Sequence, residues 1–188
     1  MIKTIVNPYT NLYFKLKQHI NSSDFPWYYN KDSTINSGLD NFQKYENIPF
    51  YSHRFISRPR MDKSSESKYL FPEVNSNLTE LYYPLLEQIF EINNIHVGCL
   101  LRFNANCVHP LKTKNTTVPH VDHNFDHKNL IVYLTDAGGD TILYDDKLNV
   151  IHKHSPKEDD IVIFEGIHSI RPPENNRRIV LVATYIEL

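Results

Sequence analysis

Cysteine is scarce: the 188 residues hold two, Cys99 and Cys107. Both fall in one run that reads as a strand, and at about 3.3 Å per residue they stand roughly 26 Å apart. That excludes a disulfide between them and suits a reducing compartment, so a cytoplasmic location is expected. An excess of either charge is also missing, since 20 Lys and Arg against 22 Asp and Glu leave a net charge of -2. This balance gives no electrostatic footprint for nonspecific nucleic-acid binding, and nucleic acid is not an expected partner. Long apolar runs are absent, and nothing approaches the ~20 residues of a membrane span. The N-terminal stretch MIKTIVNPYTNLYFKLKQ has neither the continuous apolar segment nor the small-residue cleavage site of a secretory signal. The five glycines form no Walker loop, no Gly-x-Gly-x-x-Gly and no Gly-x-Ser-x-Gly elbow. Gly138-Gly139 reads as a hairpin turn rather than a phosphate cradle. Neither cysteine has a local nucleophile signature.

What is present is a folded composition, with 40% hydrophobic and 22% charged residues. The chain changes character near residue 96. Before it, two helices are expected among irregular sequence. Asn7-Pro8 suits a helix start, and Leu12, Leu16 and Ile20 repeat on one stripe. The stretch SSDFPWYYN ends that helix. Asn77 with Glu80 three residues on resembles a capping box. Leu78, Leu81, Leu85, Leu86, Ile89 and Phe90 then give the buried face of a second helix to about Asn93, with Pro84 kinking it or lying near its first turn. Residues 57–68, SRPRMDKSSESK, are polar and interrupted by proline, which predicts a mobile loop.

After residue 96 short strands follow one another: GCLLRFNANC, TVPHVD, NLIVYLT, DTILY, NVIHKH, DIVIF, IHSI and RRIVLVATYIEL. Turn residues separate them and no helix intervenes. A two-sheet barrel or jelly roll is the natural closure. The expected fold is therefore mainly β with flanking helices: one domain over 1–188, with a helical and loop-rich part at 1–95 and a jelly-roll core at 96–188 packed on the N-terminal helices.

The chemistry concentrates in PHVDHNFDH, residues 119–127. In a strand, residues i and i+2 share a face, so His120 and Asp122 would present an imidazole and a carboxylate together. That pair suits a divalent transition metal if one more nitrogen ligand arrives from elsewhere; otherwise it is an exposed polar strand end. His168 follows at the head of a later strand that could return beside the first. Arg177 and Arg178 open the last strand, and alternation turns one of them inward, where a planar guanidinium suits a carboxylate. Spacing does not say which.

Taken together, His120-x-Asp122, His168 and Arg178 resemble the Fe(II)- and 2-oxoglutarate-dependent oxygenases, in particular their prolyl-hydroxylase-like branch. Residues 132–144, VYLTDAGGDTILY, resemble that branch's Tyr-Leu-Asn…Gly-Gly-x-Thr segment, with Thr135 in place of the usual Asn. Residues 161–179, IVIFEGIHSIRPPENNRRI, resemble its Phe…His…Pro…Arg-Ile segment. The likeness covers roughly residues 98–188. It implies a double-stranded β-helix in which His120, Asp122 and His168 hold Fe(II), leaving positions for 2-oxoglutarate and O2. It also implies that Arg178 and Tyr133 bind the far carboxylate of 2-oxoglutarate, and that a substrate C–H bond is hydroxylated with succinate and CO2 as co-products. In this branch Arg102 and Asn104, two apart on the first core strand, would line the co-substrate or substrate pocket; the alternative is an ordinary solvent face.

The remaining candidates have plainer readings. His123 adjoins Asp122 and should point away from the metal. Asp126 and His127 belong to the next turn. His152 and His154 lack a carboxylate at a comparable strand end. His53 is either part of a substrate-facing lid or structural, and residues 26–30, PWYYN, read as aromatic packing. Three functions stay open: hydroxylation of a peptidyl side chain such as proline, the same chemistry on a small molecule or nucleobase, and a metal-binding barrel without redox chemistry. The partner is accordingly a peptide, a protein or a small molecule. Nothing in the residues sets an oligomeric state.

Overall fold

The computed structural model describes residues 1–31, 45–59 and 72–188. Its first half contains β1 (Lys3–Ile5), α1 (Asn11–Asn21), β2 (Tyr28–Asn30), β3 (Phe50–Ser57), β4 (Glu73–Val74) and α2 (Thr79–Ile92). Its second half contains β5 (Val97–Val108), β6 (Lys128–Tyr133), β7 (Thr141–Tyr144), β8 (Val150–His154), β9 (Ile161–Phe164), β10 (His168–Ile170) and β11 (Arg178–Glu187).

Both helices form, but neither starts where the local pattern suggests. Asn7 is buried. Its amide donates to the Asp159 carbonyl at 3.0 Å, and its Oδ1 accepts from the Tyr9 backbone N–H. Tyr9 has a left-handed φ of 47°, so the helix begins after it. Thr10 is the cap, its hydroxyl accepting from the Tyr13 N–H at 3.2 Å. At α2, Ser76 does what Asn77 was expected to do, its hydroxyl accepting from the Leu78 N–H at 3.0 Å and its carbonyl from the Thr79 N–H. The buried positions of α2 include Tyr82, Leu85, Leu86, Ile89 and Phe90, whereas Leu81 is exposed. Pro84 lies inside the helix. Among the described residues, no helix is long and apolar enough to cross a membrane.

Two antiparallel sheets carry the rest. The larger runs β1-β9-β6-β11-β5-β3-β2, with β4 on β3, and the smaller runs β10-β7-β8. The N-terminal part is therefore more than helices and loops, since it adds four strands to the larger sheet. β3 pairs directly with β5, the first core strand. The expected strand TVPHVD reduces to one isolated bridge, which pairs His120 with His168. Pro119 has no N–H to extend that ladder.

Strand alternation divides the apolar residues between two clusters. Leu130, Val132, Ile179, Leu181 and Ala183 face one way and pack with Tyr13, Leu16 and Ile20 of α1 and Leu85, Leu86 and Ile89 of α2. Each buried leucine, isoleucine or valine among them stabilises the fold by about 1.5–3 kcal/mol. Ile131, Tyr133, Val180 and Val182 face the other way and meet Leu143 of the smaller sheet. The space between the sheets is thus lined by the odd-numbered residues of β6 and the even-numbered residues of β11.

His53 sits on β3, almost fully buried. Its Nδ1 lies 2.8 Å from the Pro26 carbonyl and its Nε2 lies 2.7 Å from Ser76 Oγ, with the Phe25 and Phe55 rings beside it. This is a structural tie between three segments. Of the 57–68 stretch, residues 60–68 lie outside the described residues. His53→Phe is expected to lower stability by about 1–3 kcal/mol by leaving the Pro26 carbonyl unpaired. Chemical denaturation checks this, and the metal affinity of the folded fraction should not change.

Candidate active site

The His120–His168 bridge is the joint that builds the site. The His120 N–H donates to the His168 carbonyl at 3.0 Å, and the His168 N–H returns the bond at 2.9 Å. This sets the two rings 4.6 Å apart. Each ring is then fixed by its own chain: Nδ1 of His120 lies 3.0 Å from the Val118 carbonyl, and Nδ1 of His168 lies 3.2 Å from the Gly166 carbonyl. A carbonyl only accepts, so Nδ1 carries the proton in both rings and Nε2 keeps its lone pair. Asp122 stands beside them, its Oδ2 3.8 Å from His168 Nε2. One ligand atom from each of His120, Asp122 and His168 lies within 4.8 Å of the other two.

Electrostatics keep this set ready for a cation. Burial pushes His168 down to about 4, with His120 beside it adding to the shift, and burial lowers His120 as well. Both imidazoles are neutral at pH 7. Burial alone would raise Asp122, but the guanidinium groups, Arg102 first and then Arg58, outweigh it and hold the carboxylate far below its usual range. Two neutral imidazoles and one ionised carboxylate are the donor set of a mononuclear transition-metal site with open positions.

A second group of polar side chains lies deeper between the sheets. Arg178, at the start of β11, is 3% exposed. Its Nη2 is 3.4 Å from Thr141 Oγ1, and its guanidinium carbon is 5.1 Å from the centre of the Tyr133 ring. The Tyr133 hydroxyl lies 2.7 Å from the same Thr141 Oγ1. Burial raises Tyr133, which stays a neutral hydroxyl. Gly139, at φ 83°, closes over this corner, and a Cβ there would stand 2.7 Å from the Arg171 carbonyl and 3.2 Å from Arg178 Cδ. Among the described residues no carboxylate pairs with Arg178, and its buried Nε has no partner. A buried guanidinium met only by hydroxyls is costly, and a carboxylate ligand would remove the cost.

This architecture has counterparts among solved structures. An oxidoreductase of the 2OG-Fe(II) oxygenase family from Burkholderia pseudomallei superposes with a TM-score of 0.64, over 92% of this chain and 76% of that one, at 13% identity. A prolyl hydroxylase from Trichoplax adhaerens, in complex with a hypoxia inducible factor oxygen degradation domain peptide fragment, gives a TM-score of 0.55 over 99% of this chain and 83% of that one, at 11% identity. The fold is that of the 2-oxoglutarate/Fe(II) oxygenases. By sequence, no family model and no curated protein matches the chain.

Within this oxygenase fold the other candidate residues find their places. Arg102 and Asn104 turn towards the cavity, but Arg102 Nη1 donates to Asp122 Oδ1 at 2.8 Å and its Nε donates to Asn104 Oδ1. Both therefore stand at the Asp122 end rather than beside Arg178. His123 is not one of the three clustered donors, but it does not face away from the space between the sheets: its Nε2 lies 2.9 Å from Thr184 Oγ1, on the same face of β11 as Val180 and Val182. His127 sits in the loop before β6, with Nδ1 2.7 Å from the Phe125 carbonyl. His154 lies 3.4 Å from Asp160, a carboxylate the local spacing did not suggest, and its ring flanks Tyr133. Two participants escape sequence reading: Thr141, which lies in the quoted Gly-Gly-x-Thr segment, and Arg58, which donates to Asp122 across 64 residues. Only the family-like segment hints at the first, and nothing local hints at the second.

The shifted histidines predict acid lability. His168 binds a proton at its ordinary 6.5 when unfolded but only at about 4 when folded. Falling pH therefore favours the unfolded chain through that window. The metal-free protein should lose up to roughly 3 kcal/mol between pH 6.5 and 4 from this residue. Calorimetry in a chelator should show the loss, and His168→Asn should flatten it.

Proposed function

We propose that this chain is an Fe(II)- and 2-oxoglutarate-dependent dioxygenase that hydroxylates a C–H bond of a peptidyl side chain such as proline, with succinate and CO2 as co-products. The observation that carries the reading is Arg178, a buried guanidinium without a carboxylate partner among the described residues, between the same two sheets whose strands also position two neutral imidazoles and an ionised carboxylate. A metal site alone has no use for it. We read the two sheets as a double-stranded β-helix with this cavity between them.

His120 Nε2, His168 Nε2 and Asp122 Oδ2 are the atoms that would hold iron. When bound, iron supplies the redox chemistry that couples O2 and the decarboxylation of 2-oxoglutarate to hydroxylation. The chain's own residues set the rest. Arg178 and the Tyr133 and Thr141 hydroxyls accommodate the far carboxylate. On β7, Thr141 pairs with Ile170 and Leu143 pairs with His168, so the two polar ends are separated by one same-face step. That is roughly 7 Å of strand, a distance suited to a five-carbon dicarboxylate. Ile131, Val182 and Leu143 line the interval and keep water from the apolar stem. The peptide bound by the Trichoplax neighbour supports a peptidyl substrate here.

The test is a panel of proline-containing peptides and small metabolites incubated with Fe(II), 2-oxoglutarate and air. The reading expects one peptide to gain the mass of one oxygen with matching succinate. A product found only among the metabolites would move the substrate to the small-molecule class.

A further inference from the structure

Asp122 is held from behind as well as facing the imidazoles. Its two oxygens do different work. Oδ2 is the one 3.8 Å from His168 Nε2, while Oδ1 accepts from Arg102 Nη1 at 2.8 Å and from Arg58 Nη2. Arg102 is itself braced: its Nε donates to Asn104 Oδ1, and Asn104 Nδ2 donates to Asn106 Oδ1 at 2.5 Å. These residues are i, i+2 and i+4 on β5 and so share one face. They stand opposite Thr184, Val182 and Val180 of β11, whose two valines line the space between the sheets. A file of three polar side chains facing the partly apolar space between the sheets is costly unless paired. This file is paired along its length and ends on the Asp122 carboxylate. The two arginines also differ, since the Arg102 side chain is 15% exposed and that of Arg58 is 44% exposed.

We infer that Arg102 is a positioning residue: braced by Asn104 and Asn106, it occupies Asp122 Oδ1 so that Oδ2 alone is offered to the metal. The carboxylate then binds through one oxygen and leaves the remaining coordination positions open. Arg58, half in solvent, adds to the hold without setting the geometry. This inference rests on the metal-site reading proposed above.

Anaerobic titration with Co(II) alone, followed by its visible absorption, tests it without turnover. Arg102→Met should weaken Co(II) binding by about tenfold to a hundredfold, the usual cost of losing an outer partner of a metal ligand. It should also dim the ligand-field bands, because a carboxylate binding through both oxygens raises the coordination number. Arg102→Lys, which keeps one donor to Oδ1, should recover most of the affinity, and Arg58→Ala should change it by less than about threefold. Wild-type affinity and bands in folded Arg102→Met would overturn the inference. If that variant does not fold, Asn104→Ala decides on the same criteria, with an intermediate loss expected and wild-type binding contradictory. The two readings fail separately. Wild-type protein that binds Co(II) but gives no 2-oxoglutarate-dependent charge-transfer band with Fe(II) removes the oxygenase reading alone. A normal band with unaltered Co(II) binding in Arg102→Met removes the positioning role alone.

Discussion

Replacing Arg178 by leucine is expected to stabilise the metal-free protein and, if the proposed oxygenase reading holds, to raise the 2-oxoglutarate needed for turnover by about a hundredfold or more. Both effects come from one fact: the guanidinium is 3% exposed, and among the described residues the polar groups that meet it are the Thr141 and Tyr133 hydroxyls. Without a bound carboxylate, a buried cation of this kind costs several kcal/mol of solvation. A leucine, though shorter than arginine, removes that cost, and Tyr133 and Thr141 still have each other at 2.7 Å. A gain of about 1–3 kcal/mol raises Tm by roughly 2–10 °C in a chain of this size. The opposite holds for the co-substrate. A charge-assisted, two-pronged bond to a carboxylate contributes about 3 kcal/mol, which is two orders of magnitude in binding. Thermal unfolding in a chelator and the succinate rate against 2-oxoglutarate concentration measure the two sides. An Arg178→Leu protein that is less stable and keeps its co-substrate requirement would mean that the guanidinium is a structural residue.

Removing one of the proposed metal ligands should have the second large effect, with a signature that depends on the residue removed. Asp122→Ala and His168→Ala are each expected to lower turnover by about a thousandfold or more, since either leaves two protein ligands. Their effects on the metal-free fold should differ. Asp122→Ala deprives Arg102 and Arg58 of their shared acceptor. Loss of a buried partner destabilises by about 3–5 kcal/mol, and the half-exposed Arg58 reduces this to about 2–3 kcal/mol. His168→Ala removes a neutral ring and strands no charge. Denaturant midpoints for the two variants should separate accordingly. Full turnover in His168→Ala would show that the ligand set is wrong.

The parts of the fold that were legible in the sequence are those set by period alone. The Leu16 and Ile20 stripe and the strands from Val97 onward, apart from the expected strand at 117–122, are readable because local spacing decides them. Helix starts were not, because Asn7 is engaged by Asp159, 152 residues away, and no local pattern reports that. Strand β3 was missed for a related reason. Tyr51, Ser52, His53 and Arg54 do not alternate cleanly, and their burial comes from β5 and from Phe25. At the site, His120 and Asp122 could be paired by i, i+2 spacing. Arg178 could not be told from Arg177 by spacing. The structure buries Arg178 and leaves Arg177 exposed. Arg58 was invisible because its contact with Asp122 is made purely in three dimensions.

The central claim is that one cavity holds iron through His120, Asp122 and His168 and binds 2-oxoglutarate against Arg178. Anaerobic addition of 2-oxoglutarate to the Fe(II) protein tests both halves together, read as a visible metal-to-ligand charge-transfer band. The account predicts a band in the wild type, its loss in Asp122→Ala, and a shift to about a hundredfold higher 2-oxoglutarate in Arg178→Leu. A protein that binds Fe(II) tightly but shows no band at any 2-oxoglutarate concentration would contradict it.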